Sequence, residues 1–453
     1  MSVKSDQKSD KMASFTYAIP EQAPLIRAQA TSSTLSSLPL HQRISMLPFS
    51  TTDSNASTSF SDFVWQNKST SDFQELRRQA LVYNHLCGAE IFEDKAKLAL
   101  LLAESTVSEN ALESYVFPTV ISFSKWCKTT SDKWNNKLWV AKTPMGNSGS
   151  GVWMLSSHNC AKVTTEILNN MSKYSDSRHA VVVQEYVMNP MLWRGRKLQF
   201  RIYAVIKGDL SVWLYRHGML QFCNKEYKEY LNNDNDVNKV EDDEIHITNV
   251  CRNVHNSTLF VREKPVDLVS RYPQVYASIS KSLCDLVRQS SSFLKHQRSQ
   301  HHFEFIGCDY IVDNETGAAK LIECNCPPNN TGSDPIGTIE DFHSDLWEDI
   351  MQAFVITPIV TQKTCETRKE RMKDVNNVKE CECGMFENIL SFEELKMEKL
   401  NKRKNGEVKE GDDDGGGEFV ATREPSDLAM NRLAWLVWEK KAAKINLKKA
   451  MSM

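Results

Sequence analysis

The sequence has no run of about 20 apolar residues, the length that a membrane-spanning helix needs. Its first residues, MSVKSDQKSDKMASF, also lack the apolar segment of a secretory signal. Neither sign of charge dominates, because 55 lysines and arginines are balanced by 58 aspartates and glutamates, a formal net charge of −3. We therefore expect a globular, cytoplasmic protein that binds neither membranes nor nucleic acid.

The sequence has few closely spaced cysteines, namely Cys324 with Cys326, and Cys365 with Cys381 and Cys383. The twelve cysteines are scattered from Cys87 to Cys383, and none shows the paired CxxC spacing of a structural zinc site. This pattern favours reduced thiols over a disulfide scaffold. The sequence also lacks the GxxxxGK[ST] loop of P-loop enzymes and the HRD and DFG patterns of protein kinases, which excludes those two classes.

Composition divides the chain into segments. Residues 1–60 are rich in Ser and Thr and poor in aromatic residues, so we expect them to be disordered. Residues 74–88 are predicted to form a helix, and residues 94–105 a second one. Short β-rich runs separated by turns are concentrated at 138–358, which predicts that the chemistry lies there.

An acidic hairpin is predicted where FEFIGCDYIVD and AKLIECN flank the turn-prone NETGA. The natural register places Asp309 opposite Glu323 and Gly307 opposite Asn325. Asp309, Glu323 and Asn325 then share one face, while Ile306, Cys308, Tyr310 and Ile322 share the other. Two carboxylates directly opposite each other are destabilising unless a cation lies between them. The carboxylate oxygens of Asp309 and Glu323 and the amide oxygen of Asn325 are suitable ligands for a Mg²⁺ ion that binds together with a nucleotide. The alternative is a solvated acidic patch on an exposed hairpin face.

A second hairpin, GRKLQFRIYAVIK followed by LSVWLYRHG, is predicted to turn through the two residues Gly208 and Asp209. Its first strand alternates between a polar and an apolar face. This register places Arg201 opposite Arg216. Two arginines in that position repel each other unless an anion such as phosphate or carboxylate bridges them.

Two further segments could contact a nucleotide. The strand LWVAK ends at Lys142 and is followed by Gly146, Gly149 and Gly151, which would let backbone N–H groups approach phosphate oxygens. A glycine-rich hairpin turn with no ligand is the alternative. The buried strand VVVQEYV is interrupted by Gln184 and Glu185, whose backbone could pair with an adenine edge.

The order of these blocks resembles the tubulin-tyrosine ligase-like family of ATP-grasp enzymes. The blocks that carry the resemblance are FPTVISF, VVQEYV, GRKLQFRIY, VWLYRHG, HITN and FEFIGCDYIVD with LIECNCPP, within residues 75–357. The resemblance implies an α+β, ATP-grasp fold in which two lobes with antiparallel sheets hold ATP between them. It also implies a ligase that joins a free amino acid to a protein carboxylate, plausibly on tubulin or microtubules, through an acyl-phosphate.

The resemblance also implies a domain division and a role for each matching residue. We expect an N-terminal domain at 61–137, a central lobe at 138–190, a C-terminal lobe at 191–357, and a charged tail at 358–453 with a linker and a terminal helix. ATP phosphates would be contacted by Lys142 and Lys197, and the adenine hinge would be formed by Gln184, Glu185, Tyr186 and Val187. The segment near the ribose and phosphates would contain Thr248 and Asn249. The catalytic residues would be Arg201 and Arg216, and Mg²⁺ would be held by Asp309, Glu323 and Asn325.

The chain departs from the family pattern at one position of the site. Gln199 replaces the acidic residue that most members have between the paired lysine and arginine. A neutral amide cannot serve as an anionic anchor for an incoming amine. Two alternatives therefore stay open: a catalytically impaired relative that binds nucleotide or microtubules as an interaction module, and an ATP-grasp ligase that acts on a small molecule.

Overall fold

The computed structural model describes the core of the chain and shorter pieces around it. The described residues are 12–17, 26–31, 61–65, 80–103, 110–131, 134, 137–146, 151–173, 180–227, 242–249, 263–294, 300–328, 338–364 and 384–404. No helix among them combines the length and the apolar character that crossing a membrane requires.

Strands and helices alternate along these residues. The strands are β1 (Met12–Tyr17), β2 (Ile26–Thr31), β3 (Ser61–Trp65), β4 (Ala80–Tyr83), β5 (Ser114–Phe117), β6 (Trp139–Lys142), β7 (Val152–Leu155), β8 (Val181–Glu185), β9 (Leu192–Trp193), β10 (Arg196–Lys207), β11 (Val212–Glu226), β12 (Glu263–Asp267), β13 (Phe303–Val312), β14 (Ala319–Asn325) and β15 (Phe386–Leu390). The helices are α1 (Glu90–Glu93), α2 (Lys95–Ala103), α3 (Val120–Thr130), α4 (Cys160–Lys173), α5 (Asp243–His246), α6 (Leu268–Arg271), α7 (Pro273–Ser290), α8 (Thr338–Ile350), α9 (Thr357–Thr364) and α10 (Phe392–Lys404), with a π-helical turn at Met351–Ile356.

The larger antiparallel sheet has the strand order β12-β11-β10-β13-β14, and β9 and β15 pair with β10 and β11. Strand β10 alternates, so Phe200, Ile202 and Ala204 point into a core that α7 covers with Ile279 and Leu283. The other face carries Arg201 and its polar neighbours at one end, whereas Tyr203 and Val205 at the other end pack in a second core with Phe342 and Trp347 of α8. Only the polar end of this face is therefore left for chemistry.

A smaller antiparallel sheet has the order β5-β8-β6-β7. Central strand β8 begins with three consecutive valines because both of its faces are covered. Helices α3 and α4 pack together, and α3 begins with a capping box in which Thr119 and Ser122 bond each other's backbone N–H groups. Strand β5, which belongs to the segment assigned to the N-terminal domain, completes this sheet.

The N-terminal part differs from the predicted pattern. Residues 80–83, expected within a helix, form strand β4, because Val82 and Tyr83 are fully buried and take an extended conformation beside β3. The second predicted helix is confirmed as α2. Strands β1 and β2 lie within residues 1–60, and the rest of that segment is outside the described residues.

Residues 384–404 are part of the folded body rather than a detached tail. Strand β15 pairs with β11, and Phe386 packs on Tyr215 at 4.8 Å between ring centroids. Helix α10 is fixed by the guanidinium of Arg288, which donates to the Glu398 carboxylate at 2.8 Å. The predicted linker at 411–418 and the terminal helix lie outside the described residues. Helices mixed with antiparallel sheets agree with the expected α+β class, although β2, β3 and β4 pair in parallel.

Candidate nucleotide and metal site

The acidic hairpin has the predicted register. Asp309 pairs with Glu323 and Gly307 with Asn325. The intervening Cys308 and Cys324 lie on the opposite face, with their sulfurs 3.1 Å apart in the core. A bulge after Asp309 shifts the pairing, so the residue opposite Tyr310 is Leu321. The predicted place of Ile322 on the apolar face is therefore wrong, because Leu321 takes it.

Arg201 neutralises Asp309. The two residues are register partners on adjacent strands β10 and β13. The guanidinium donates from Nε to Oδ1 at 2.8 Å and from a terminal nitrogen to Oδ2 at 2.7 Å, the two-pronged geometry that binds carboxylates most strongly. Burial raises the pKa of Asp309, and Arg201 opposes that rise. Burial would lower the pKa of Arg201, but Asp309 holds it above its ordinary value.

Lys95 neutralises Glu323, a role that sequence reasoning missed. Its Nζ lies 3.5 Å from the Glu323 carboxylate and donates to the Gly146 carbonyl at 2.8 Å. Burial alone would raise the pKa of Glu323, but Lys95, Lys142 and Arg201 lower it, so the carboxylate stays ionised. The only local signal for Lys95 is its place at the start of α2, directly after the capping residue Asp94.

Lys142 links the two sheets. From the end of β6 its Nζ donates to Gln184 Oε1 at 2.6 Å and to the Ile322 carbonyl at 3.3 Å. Burial lowers the pKa of Lys142 to about 8. In the glycine-rich turn that follows, Gly151 has a φ of +75°, and a Cβ there would overlap the Thr143 hydroxyl. Gly149 lies outside the described residues.

Lys197 lies deeper, above an aromatic ring. Its Nζ donates to the His246 carbonyl at 2.8 Å and lies 4.1 Å from the centre of the Tyr186 ring. The Tyr186 hydroxyl is 3.0 Å from His246 Nδ1. Burial lowers the pKa of Lys197 to about 8. This lysine thus joins Tyr186, a predicted hinge residue, to helix α5, which ends at His246.

Gln199 is the centre of a neutral hydrogen-bond network. Its amide nitrogen donates to Gln221 Oε1 at 2.8 Å, and its oxygen accepts from the Thr248 hydroxyl. The amide group, which replaces the family's acidic residue, is therefore bonded to two neutral side chains. Asn249, the next residue after Thr248, is half-buried.

Arg216 is not opposite Arg201, so that prediction is wrong. The loop after β10 spans four residues, 208–211, instead of two, and a register shift follows between Ile202 and Ala204. Arg201 consequently pairs with Met219. Arg216 is exposed, between the segments of β11 that pair with β12 and β15, and its N–H donates to the Met385 carbonyl at 3.0 Å.

The hinge residues follow one another out of strand β8. Gln184 and Tyr186 are buried and hold Lys142 and His246 as described above, and Val187 is buried as well. Glu185 is half-buried, with its carboxylate 3.5 Å from Lys137 Nζ. The amides of Glu185 and Tyr186 donate to the carbonyls of Glu113 and Leu138.

The donor set has the chemistry that Mg²⁺ prefers when phosphate supplies its remaining ligands. Asp309 and Glu323 contribute carboxylates. Asn325 buries its amide nitrogen without a hydrogen-bond partner among the described residues. No group of three His, Cys, Asp or Glu side chains suited to a metal occurs in the described part of the chain. The residues thus fit a cation that arrives with a nucleotide better than a cation held by protein alone.

Lys142 of the smaller sheet thus approaches the strand of the larger sheet that carries Glu323, and Lys95 of α2 joins it there. The mixture of helices and antiparallel sheets agrees with an ATP-grasp-like fold. The sequence model of the tubulin-tyrosine ligase family matches residues 119–365, more than half of the chain. The chain therefore belongs to the tubulin-tyrosine ligase family.

Curated relatives carry names from the same family. A protein of Saccharomyces cerevisiae named "Probable tubulin--tyrosine ligase" is 26% identical over 55% of this chain and 36% of its own length. A "Probable alpha-tubulin polyglutamylase" of Tetrahymena thermophila is 28% identical over 49% of this chain and 54% of its own length. A "Probable tubulin polyglutamylase" of Mus musculus is 28% identical over 34% of each chain. The chain thus spans about half the length of these relatives or less.

Proposed function

We propose that the protein is an ATP-dependent ligase that joins an amino acid to a carboxylate of a protein acceptor, with a tubulin tail as the acceptor. The observation that carries the proposal is the meeting of Lys95, Lys142 and Arg201 with Asp309 and Glu323 where the two sheets approach. The names of the relatives, which refer to tubulin tyrosine ligation and polyglutamylation, support the acceptor.

The nucleotide would lie between the sheets. The amides of Glu185 and Tyr186 are already bonded, so Val187 provides the next backbone donor along the hinge for an adenine edge. Thr248 and Asn249 would lie near the ribose and phosphates. This arrangement would direct the phosphates toward the lysines.

The phosphates would be bound by buried cations. Lys95, Lys142 and Lys197 come from three different elements and together surround the place that the triphosphate would take. Each is buried, so its charge is screened little by water. Asp309, Glu323 and Asn325 would hold Mg²⁺, which when bound supplies positive charge to the phosphate oxygens.

The reaction brings anions together. Transfer of the γ-phosphoryl group to the acceptor carboxylate gives an acyl-phosphate, and attack by the amine of the amino acid then forms the amide and releases phosphate. Arg201 offers a planar guanidinium for these oxygens. Arg216, exposed on β11, is proposed to hold the acyl-phosphate with it. Arg216→Lys should lose ligation while the fold survives, and unchanged turnover would remove Arg216 from the mechanism.

The network around Gln199 favours a second candidate, a relative that binds nucleotide without turning it over. With Gln221 and Thr248, the amide fills a buried position with neutral groups only. No carboxylate at residue 199 is then present to hold the amine of an incoming amino acid. Binding of ATP and tubulin without ligation would identify this function.

ADP release separates the two candidates. The full chain is incubated with Mg·ATP, tubulin and one amino acid at a time, namely Tyr, Glu or Gly, and acceptor mass is followed in parallel. The ligase predicts ADP release and a mass increase for one donor, both abolished in Glu323→Gln. Mg·ATP binding with no ADP for any donor would overturn the ligase and favour the binding module.

A further inference from the structure

The bond between Arg201 and Asp309 occupies a predicted metal ligand. Both oxygens of the carboxylate accept from the guanidinium, at 2.8 and 2.7 Å. Asp309 is 2% exposed, so water contributes little to its neutralisation. A cation that binds this carboxylate must therefore displace the guanidinium from at least one oxygen or approach it against charge repulsion.

The charges around the acidic pair favour anions over cations. Asp309 and Glu323 carry two negative charges, while Lys95, Lys142 and Arg201 bring three positive ones. The Nζ of Lys95 is 3.5 Å from the Glu323 carboxylate, and the Nζ of Lys142 is 3.3 Å from the carbonyl of Ile322, the residue before Glu323. A divalent cation alone would meet a site that is already neutralised, whereas a polyphosphate would find an excess of positive charge.

We propose that Arg201 is a placeholder for the divalent cation: it neutralises Asp309 in the nucleotide-free protein and is exchanged for the metal only when ATP enters. The inference rests on the proposed function, because it takes Asp309 and Glu323 as the metal ligands. The exchange leaves the guanidinium beside the phosphates, where the transferred group needs a cation. Arg201 thus occupies the metal position in the nucleotide-free protein and binds the transferred phosphoryl group when ATP is present.

Three consequences follow for binding. A free divalent cation should bind weakly, and ATP without metal should bind measurably. The two together should bind with positive coupling, because the phosphates give the guanidinium a new partner and so free the Asp309 carboxylate for the metal. Removing the positive charge of residue 201 should strengthen binding of the metal alone. If Arg201 only bound phosphate, its removal would not be expected to strengthen the binding of a metal ion without nucleotide.

Manganese titrations followed by electron paramagnetic resonance test this directly, with Mn²⁺ as the probe and no nucleotide present. We expect Arg201→Gln to bind Mn²⁺ about tenfold more tightly than the wild type, because a neighbouring positive charge is gone. Arg201→Lys, which keeps the charge but loses the two-pronged bond, should fall between them and serves if the glutamine variant does not fold. Arg271→Gln, an exposed arginine of α6, is the control and should match the wild type.

The outcomes separate the placeholder from the proposed function. Equal or weaker Mn²⁺ binding in folded Arg201→Gln or Arg201→Lys overturns the placeholder, whatever ATP does. Calorimetry of Mg·ATP on the wild type is run alongside, and failure of that binding overturns the nucleotide site instead. Tighter Mn²⁺ binding in the variants together with Mg·ATP binding by the wild type supports both.

Discussion

Two buried lysines should make nucleotide binding take up protons. The pKa values of Lys142 and Lys197 are both lowered to about 8 by burial, so each is about half protonated at pH 8. A phosphate group beside each ammonium favours the charged form and raises its pKa. Binding of one ATP at pH 8 should therefore take up about half a proton per lysine, or about one in total.

Calorimetry in buffers of different ionisation enthalpy measures this uptake. Lys142→Met should reduce it to about half a proton, because one of the two groups is lost. Lys225→Met is a matched control, since Lys225 pairs with Asp242 on the surface at 2.7 Å. At pH 6.5 both buried lysines are already charged, so uptake should approach zero.

Observed heats that do not depend on the buffer at pH 8 would contradict the reasoning. They would mean either that the lysines are fully charged before ATP arrives or that the phosphates do not contact them. The variants distinguish these cases, because Lys142→Met should weaken ATP binding by about tenfold or more if the phosphate contact exists.

Three further changes test the structure around the site. The pKa of Lys142 in the folded protein, about 8, lies below its ordinary value of 10.5, so between these pH values the unfolded chain binds more protons than the folded one. The free energy of unfolding should therefore rise with pH in this range. Urea titrations should show a smaller rise for Lys142→Met than for the wild type. Phe386→Ala should lower the free energy of unfolding by about 3–5 kcal/mol, since the ring is buried between Tyr215 and Phe354, and a loss below about 1 kcal/mol would contradict the packing of β15. Gly88→Ala should also destabilise the fold measurably in thermal melts, because φ is +91° and a Cβ would overlap the Phe293 carbonyl; an unchanged melting temperature would refute that geometry.

The acidic hairpin could be predicted from sequence because its information is local. A short turn between two strands of alternating pattern fixes which residues are opposite each other, and Asp309 pairs with Glu323 as expected. The sequence predicts Mg²⁺ at this pair, and that stays a prediction. It does not predict Arg201 as the partner of Asp309, because Arg201 belongs to a strand more than a hundred residues away and only the sheet order brings it to Asp309.

The structure differs from the other sequence predictions where the local sequence pattern is ambiguous or gives no signal. A loop two residues longer than expected and a register shift between Ile202 and Ala204 change the pairing of β10 with β11 and move Arg216 away from Arg201. The residues of strand β4 include both helix-favouring and strand-favouring types, and their pairing with β3 decides their conformation. Lys95 is the first residue of the apolar helix α2, and nothing in that segment indicates a carboxylate partner at Glu323.

Calorimetric titration of Mg·ATP into the wild type and into Glu323→Gln is the most direct test of the central claim, that the cations and carboxylates between the two sheets form a nucleotide site. The variant keeps the size of the side chain but removes the charge that Lys95 and Lys142 neutralise. We predict binding to the wild type and a loss of about tenfold or more in the variant. Equal binding by both proteins, or none by a folded wild type, would contradict the account.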